Sequence, residues 1–136
     1  MNVIICVDNR MGTMFNNRRQ SRDRILCEKV VSLVGDGRLF ISEYSRELFE
    51  NFYISLVCGQ SCLSKAEKGD FCFVEGESLL PYEEKIESIV LFKWNRDYPS
   101  DKKADIDLSK GWILTQAEDF AGSSHEKITM EIYTRG

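Results

Sequence analysis

The hydrophobic residues of this chain occur in short runs separated by polar segments, and the first run begins near the amino terminus. The run from 3 to 7 (VIICV) is nearly continuous, which is typical of a strand buried on both faces of a sheet. It ends at the turn pair Asp8-Asn9, and an irregular polar segment containing Gly12 follows. The pattern predicts a central strand that leads into a loop at its carboxyl end, where open α/β sheets bind ligands.

A helix is predicted after this loop, because one face of the next segment is apolar at helical spacing, with Ile25, Leu26, Val30, Leu33 and Val34. Ser21 is the expected N-cap and Gly35 the expected end of the helix. Asp23 then lies in the first turn, where the helix dipole favours a negative charge. A structural role for Asp23 and a catalytic or ligand-binding role are both open.

The rest of the chain alternates between predicted strands and short helices. Strands are expected at 38–42, 53–57, 71–74 and 89–94, and short helices after Ser45, at 61–68 and at 78–88. The segment 127–135 alternates apolar and polar residues, and it is expected to pair with 112–115 as an antiparallel hairpin at the sheet edge. This order predicts one domain over 1–136, a three-layer α/β/α fold with a mainly parallel twisted sheet.

Composition sets limits on the function. The chain has 136 residues, of which 43% are hydrophobic and 29% charged, as in ordinary globular domains. The formal net charge of −4 argues against a nucleic-acid-binding face. No apolar run is long enough to span a membrane, and no basic region precedes the first run, so we expect a cytoplasmic protein without membrane contact.

The residue types that usually carry metal or nucleophilic chemistry are sparse. Five cysteines, at 6, 27, 58, 62 and 72, are expected to be reduced and to bind no metal, because the Cys58–Cys62 spacing lacks a second pair or a histidine. The only histidine, His125, follows Ser123 and Ser124, and adjacent turn residues rarely have the geometry of a hydrolytic pair. The glycine-rich phosphate loops are absent as well.

Several of these segments, taken in order, resemble dihydrofolate reductase. The stretch 7–12 (VDNRMG) is similar to the turn into that family's active-site loop, and Asp23 falls close to its catalytic carboxylate. The stretch 71–76 (FCFVEG) is similar to the family's "IFVIGG", whose glycines approach the cofactor pyrophosphate. The resemblance implies the reductase fold, a proton-donating role for Asp23, and ligand contacts at Asp8, Gly12, Ser45 and Gly76.

The resemblance weakens at the cofactor site. Glu43 stands where the family has an arginine that approaches the phosphates of NADPH, and Glu75 stands in place of the first glycine. A carboxylate repels phosphate, and a side chain at the second position obstructs the backbone approach. Ser100-Asp101 replaces the family's Gly-Asp, without the aromatic-proline pair. We therefore predict that NADPH is not a cofactor of this chain.

Positive charge is concentrated near the first helix, at Arg18, Arg19, Arg22 and Arg24. Clusters of this kind are usually solvated surface residues. At the carboxyl end of a central strand they would instead favour a small anionic ligand, and Arg18, Arg19 and Arg22 are the candidates.

Three hypotheses about function follow. The leading one is a degenerate reductase-like fold that has lost NADPH-dependent reduction and binds a small anionic or nucleotide-like ligand. The second is a divergent pterin or folate reductase with Asp23 as proton donor. The third is a protein-interaction module that forms a homodimer through the sheet edge provided by its last strand.

Overall fold

The computed structural model describes every residue of the chain, from Met1 to Gly136. The ten strands are β1 (Asn2–Val7), β2 (Gly12–Phe15), β3 (Arg18–Arg19), β4 (Arg38–Ile41), β5 (Ser55–Cys58), β6 (Phe71–Val74), β7 (Ser88–Lys93), β8 (Lys102–Lys103), β9 (Trp112–Phe120) and β10 (Ile128–Arg135). The three α-helices are α1 (Arg24–Val34), α2 (Arg46–Phe49) and α3 (Cys62–Lys65). Two 3₁₀ segments cover Glu43–Ser45 and Leu80–Lys85.

Seven strands form one sheet in the order β5-β4-β6-β1-β7-β10-β9. The first five are parallel, and β10 runs antiparallel to both β7 and β9. The predicted α/β architecture with an antiparallel C-terminal hairpin is therefore confirmed. One detail of the prediction is wrong. The last strand is interior because it pairs with β7 as well as with β9, so β9 forms the edge.

Helical segments cover both faces of the sheet, as the buried side chains show. On one face, Leu26 and Val30 of α1 and Phe49 of α2 pack over Ile4 and Phe92. The other face has a second core of 15 buried residues, to which the helical and loop segments contribute Leu63, Leu79, Ile86 and Ile106. Burial of apolar surface on both faces explains why the inner residues of β1 and β7 are all apolar.

Helix α1 begins two residues later than the sequence suggests. Its N-cap is Asp23, not Ser21: Asp23 has extended backbone angles, and its Oδ1 accepts a hydrogen bond of 3.0 Å from the Leu26 N–H. Both residue types are good caps, and the tertiary contacts of Asp23 described below decide between them. The end of the helix is as predicted, because the Gly35 N–H bonds to the Val31 carbonyl and Gly35 has φ of +55°.

Other local predictions need correction. The segment expected as a helix over 78–88 is a 3₁₀ segment of six residues, and the one expected over 61–68 is a single turn. Ser45 precedes α2 but makes no capping bond with its side chain; the Ser42 hydroxyl instead accepts from the Ser45 N–H at 3.3 Å. Arg18 and Arg19, expected in a loop, form β3 in a small antiparallel sheet with β2 and β8.

Candidate functional site

The candidate site lies at the carboxyl ends of β1, β4, β5 and β6. Strand β1 pairs with β6 and β7, and it leads into α1 on one face of the sheet. Strand β6 leads into the 3₁₀ segment Leu80–Lys85 on the other face. The chain thus leaves neighbouring strands toward opposite faces, which opens a crevice of the kind where α/β sheets bind ligands.

The crevice between β1 and β6 is closed by an ion pair between Arg19 and Glu75. Arg19 Nε lies 2.8 Å from Glu75 Oε2, and Arg19 Nη2 lies 3.0 Å from Glu75 Oε1. The Ser45 hydroxyl donates to the same Glu75 Oε1 at 2.7 Å. The side chains of Arg19 and Glu75 are only 13% and 9% exposed. A bidentate pair with this much burial is among the stronger interactions that a protein makes.

The other contacts of Arg19 hold its side chain in this position. Nη1 donates to Glu47 at 2.7 Å, Nη2 donates to the Tyr44 carbonyl at 3.0 Å, and the guanidinium lies 4.3 Å from the centre of the Tyr44 ring. Burial lowers the pKa of Arg19, but the bonds to Glu75 and Glu47 outweigh it and raise the pKa above its usual value. All three nitrogens of the guanidinium therefore already have partners within the chain.

Little space remains behind this ion pair. The enclosed cavity, bordered by Cys6, Thr13 and Trp94 among others, has a volume of about 20 Å³, which is enough for one water molecule. The Gln20 Oε1 atom at its wall is the one buried side-chain oxygen or nitrogen without a hydrogen-bond partner. The central crevice has no room for a small-molecule ligand while Arg19 holds Glu75.

Asp23 connects the start of α1 to the turn between β9 and β10. Its Oδ2 accepts from the Ser124 N–H at 2.7 Å and from the Ser124 hydroxyl at 2.8 Å, in addition to the Leu26 bond to Oδ1. Burial raises the pKa of Asp23, but the hydrogen bonds from Ser124, Ser123 and Leu26 outweigh it and hold the pKa well below its usual value. A carboxylate held ionised in this way is a poor proton donor at neutral pH.

His125 belongs to the same network. Its Nδ1 lies 2.8 Å from the Ser124 hydroxyl, its Nε2 lies 2.7 Å from the Tyr98 hydroxyl, and its ring stacks on Trp94 at 4.6 Å. Burial and the charge of Arg96 lower the pKa of His125 and favour the neutral imidazole, while the nearby Asp23 opposes this shift. Ser124 and His125 are thus in contact, which the sequence did not lead us to expect. The Ser124 hydroxyl, however, already has two acceptors for its one proton, Asp23 Oδ2 at 2.8 Å and the Arg22 carbonyl at 2.7 Å.

Asp8 and Gly12 build the loop that follows β1. Asp8 Oδ1 accepts from the N–H groups of Arg10 and Gly12 at 2.8 and 2.7 Å, and Oδ2 accepts from Gln20 Nε2 at 2.8 Å. A Cβ atom at Gly12 would lie 2.6 Å from Ser100, which explains why glycine is needed there. Both residues are close to the crevice, and their polar groups are used within the loop itself.

Gly76 is covered by a side chain. It has φ of +90°, which favours glycine, and a Cβ atom added there would fall on Met14 Sδ. Met14 is 5% exposed. The backbone at Gly76 is therefore closed to a ligand from the side on which Met14 packs.

A second and larger depression, the acidic cleft, lies over the carboxyl ends of β4, β5 and β6. Its volume is about 680 Å³. The charged and aromatic residues that line it are Glu43, Tyr44, Phe73, Glu77 and Tyr82. Glu43 and Glu77 are the charged residues of the wall, and no lysine, arginine or histidine lines it. Its size is within the usual range for small-molecule sites.

The four arginines do not converge on one point. Arg22 is exposed with its Nη1 3.6 Å from Glu47, and Arg24 pairs with Glu28 along α1. Arg18 has no carboxylate within 4.0 Å, and it lines a shallow groove of about 450 Å³ with Phe15 and Tyr98. Among the candidate ligand contacts, Arg19 and Ser45 meet, and they meet at Glu75. The sequence could not reveal this partner, because Arg19 and Glu75 are 56 residues apart.

Comparison with known structures identifies the fold. The chain is similar to dihydrofolate reductase from Enterococcus faecalis complexed with NADP(H) and RAB-propyl, with a TM-score of 0.68 and 10% sequence identity. The match covers 99% of this chain and 95% of that one. No family model and no curated protein matches the sequence. The chain therefore has a dihydrofolate-reductase-like fold, as its motifs suggested, and its sequence is widely divergent.

Two further features of the structure bear on the sequence predictions. No helix is long and apolar enough to cross a membrane. No three histidine, cysteine, aspartate or glutamate side chains lie close enough together to hold a metal ion, and the five cysteines are free thiols. Absence of bound metal stays a prediction for analysis of the purified protein.

The side chains around Glu75 bear on the prediction that NADPH is not a cofactor. Glu75 puts a carboxylate where the reductase motif has its first glycine, and this carboxylate is fixed by Arg19 and Ser45. Met14 covers Gly76. The adjoining acidic cleft adds Glu43 and Glu77, and no positive side chain on its wall offsets them. A pyrophosphate would meet negative charge and an obstructed backbone.

Proposed function

We propose that this chain is a small-molecule-binding protein on a dihydrofolate-reductase-like fold, that it does not carry out NADPH-dependent reduction, and that its ligand binds in the acidic cleft. The observation that carries the proposal is the buried Arg19–Glu75–Ser45 network. It closes the central crevice and supports the loss of the reductase reaction. The acidic cleft is left as the larger open site at the same sheet edge.

The alternative of a divergent pterin or folate reductase depends on Asp23 as a proton donor. Each oxygen of Asp23 already accepts hydrogen bonds within the chain, and the lowered pKa keeps the carboxylate ionised. Space alone does not decide against this alternative, because Asp23 also lines an open groove of about 420 Å³ together with Cys27 and Phe52. The hydrogen bonds and the lowered pKa favour a structural role for Asp23.

An interaction role would use the edge strand β9. Its outer side is free along nine residues, and Ile113 and Leu114 are 53% and 47% exposed. The pairing with β10 shifts from Gln116 to Leu114, which leaves Thr115 as the extra residue of a β-bulge. Because bulges disturb the regular edge needed for strand addition, this strand is a poorer docking site than its length suggests. Homodimer formation through β9 stays a secondary proposal.

An anionic ligand is best supported at Arg18. This side chain has no carboxylate partner, whereas Arg19, Arg22 and Arg24 all lie near glutamates. The groove around Arg18 is shallow, so binding there would depend strongly on ionic strength.

A thermal-shift screen against a mixed library of small metabolites tests the proposal. We expect at least one compound to raise the Tm of the wild type, and the shift to disappear in Tyr82→Ala, which removes an aromatic wall of the cleft. Tyr53→Ala is the matched control, because Tyr53 is fully exposed and lies outside the cleft. Arg18→Ala identifies an anion bound in the groove around Arg18, because the shift in Tm would then disappear in this variant and persist in Tyr82→Ala. Absence of any stabilising compound, or a shift unaffected by Tyr82→Ala, would contradict a ligand in the acidic cleft.

A further inference from the structure

The two carboxylates of the acidic cleft are poorly neutralised. Glu43 has its nearest cation, Arg46, at 3.7 Å, and both side chains are mostly exposed. Glu77 has no cationic group within 4.0 Å, and its Oε2 accepts from the Glu75 N–H at 2.7 Å. Burial raises the pKa of Glu77 and the charge of Glu75 adds to this effect, while the hydrogen bond from the Glu75 N–H and the charge of Lys102 oppose it. The cleft therefore presents two exposed carboxylates with little positive charge to offset them.

The same cleft has aromatic walls. The rings of Tyr44 and Tyr82 line it and are accessible to solvent, whereas Phe73 lies below them in the core, against Phe49. Aromatic faces attract cations, and the attraction grows when the cation is removed from water. The Tyr44 ring already accepts one cation in this structure, the guanidinium of Arg19 at 4.3 Å.

These features favour the same ligand chemistry. A phosphate or carboxylate in the cleft would meet Glu43 and Glu77 without a compensating positive side chain. A protonated amine would gain an ion pair with a carboxylate, and its apolar part could pack on the rings and on Leu63. A volume of about 680 Å³ accommodates a compact molecule of this kind.

We propose that the acidic cleft binds an organic cation, a compact molecule with a protonated amine attached to an aromatic or apolar group. The inference rests on the proposed function, since it names the ligand class for the same cleft. It reverses the charge of the nucleotide-like ligand that the resemblance alone would imply.

Three probes of similar shape test the charge directly: 2-phenylethylamine, the neutral 2-phenylethanol, and the anion phenylacetate. Binding to the wild-type protein is followed by NMR titration at low and high salt. We expect the amine to bind roughly tenfold or more tightly than the alcohol, the anion to bind least, and the affinity for the amine to fall with salt. Glu43→Gln and Glu77→Gln should each reduce that preference severalfold. Glu84→Gln is the control, since it removes the same charge outside the cleft.

The outcomes separate this inference from the proposed function. If the amine and the alcohol bind equally and Tyr82→Ala abolishes both, the proposal of a cationic ligand is overturned. The proposal that a ligand binds in the acidic cleft would then stand. The proposal of a cationic ligand is also overturned if none of the three probes binds and the library screen yields a neutral or anionic ligand whose binding depends on Tyr82. Failure of both the probes and the whole library would overturn both. An amine preference unchanged in the Glu43 and Glu77 variants would place the cation elsewhere and contradict the inference.

Discussion

We expect Arg19→Ala to lower the free energy of unfolding by about 3–5 kcal/mol, because it leaves the buried Glu75 carboxylate without its partner. Glu75 would keep only the Ser45 hydroxyl as a side-chain donor. The variant also loses the bonds to Glu47 and the Tyr44 carbonyl. Urea denaturation followed by circular dichroism measures the effect.

Arg18→Ala is the matched control for this prediction. It removes the same side chain one residue earlier, where the arginine is exposed and has no carboxylate partner, so the change should stay within about 0.5 kcal/mol. The double variant Arg19→Met with Glu75→Leu should be more stable than Arg19→Ala, because it removes both charges together. Equal stability of Arg19→Ala and Arg18→Ala would show that the ion pair does not hold the crevice closed.

The second large effect is expected at Asp23. Asp23→Ala should lower the free energy of unfolding by about 3 kcal/mol, because it removes the N-cap of α1 and leaves the Ser124 N–H without its acceptor. Asp36→Ala, at an exposed aspartate after α1, should have little effect. Asp23→Asn keeps an oxygen for the Leu26 N–H, so its free energy of unfolding should fall by less than that of Asp23→Ala. Urea denaturation at neutral pH ranks the three variants.

The pH dependence gives the same prediction a second readout. The pKa of Asp23 is lower in the folded state than in the unfolded state. Its stabilisation is therefore present above the unfolded value of about 3.9 and is lost as the pH falls toward the folded value. The wild type should lose stability below about pH 5 more steeply than Asp23→Ala. Parallel curves for the two proteins would contradict the structural role of Asp23.

The sheet could be predicted from the sequence because its inner strands are nearly continuous runs of apolar residues. Strands β1, β6 and β7 are buried on both faces, and their predicted bounds are correct within one residue. The β2-β3-β8 sheet could not be predicted, since β3 and β8 have only two residues each and β2 only four, too few to show a period. The extra residue Thr115 in β9 could not be predicted either, because a bulge is defined by the register with the partner strand β10.

The charges of the candidate site could be predicted from the sequence, but its contacts could not. Glu43 and Glu75 differ in charge from the reductase motifs, so the sequence predicted that NADPH is not a cofactor. Pairing of Glu75 with Arg19, and of Asp23 with Ser124, joins residues 56 and 101 positions apart. Such contacts depend on the three-dimensional fold. Asp23, which the resemblance places near a catalytic carboxylate, has the contacts of a structural residue for this reason.

Titration calorimetry with NADPH tests the central proposal, that this chain does not use NADPH as a cofactor. Loss of two charge-assisted phosphate contacts, each worth about 1.5–3 kcal/mol, weakens binding by roughly 10²–10⁴-fold, and carboxylate repulsion adds to this. The Enterococcus faecalis enzyme is the positive control. We predict no saturable NADPH binding to the wild-type chain up to millimolar concentration. A micromolar dissociation constant would contradict the account.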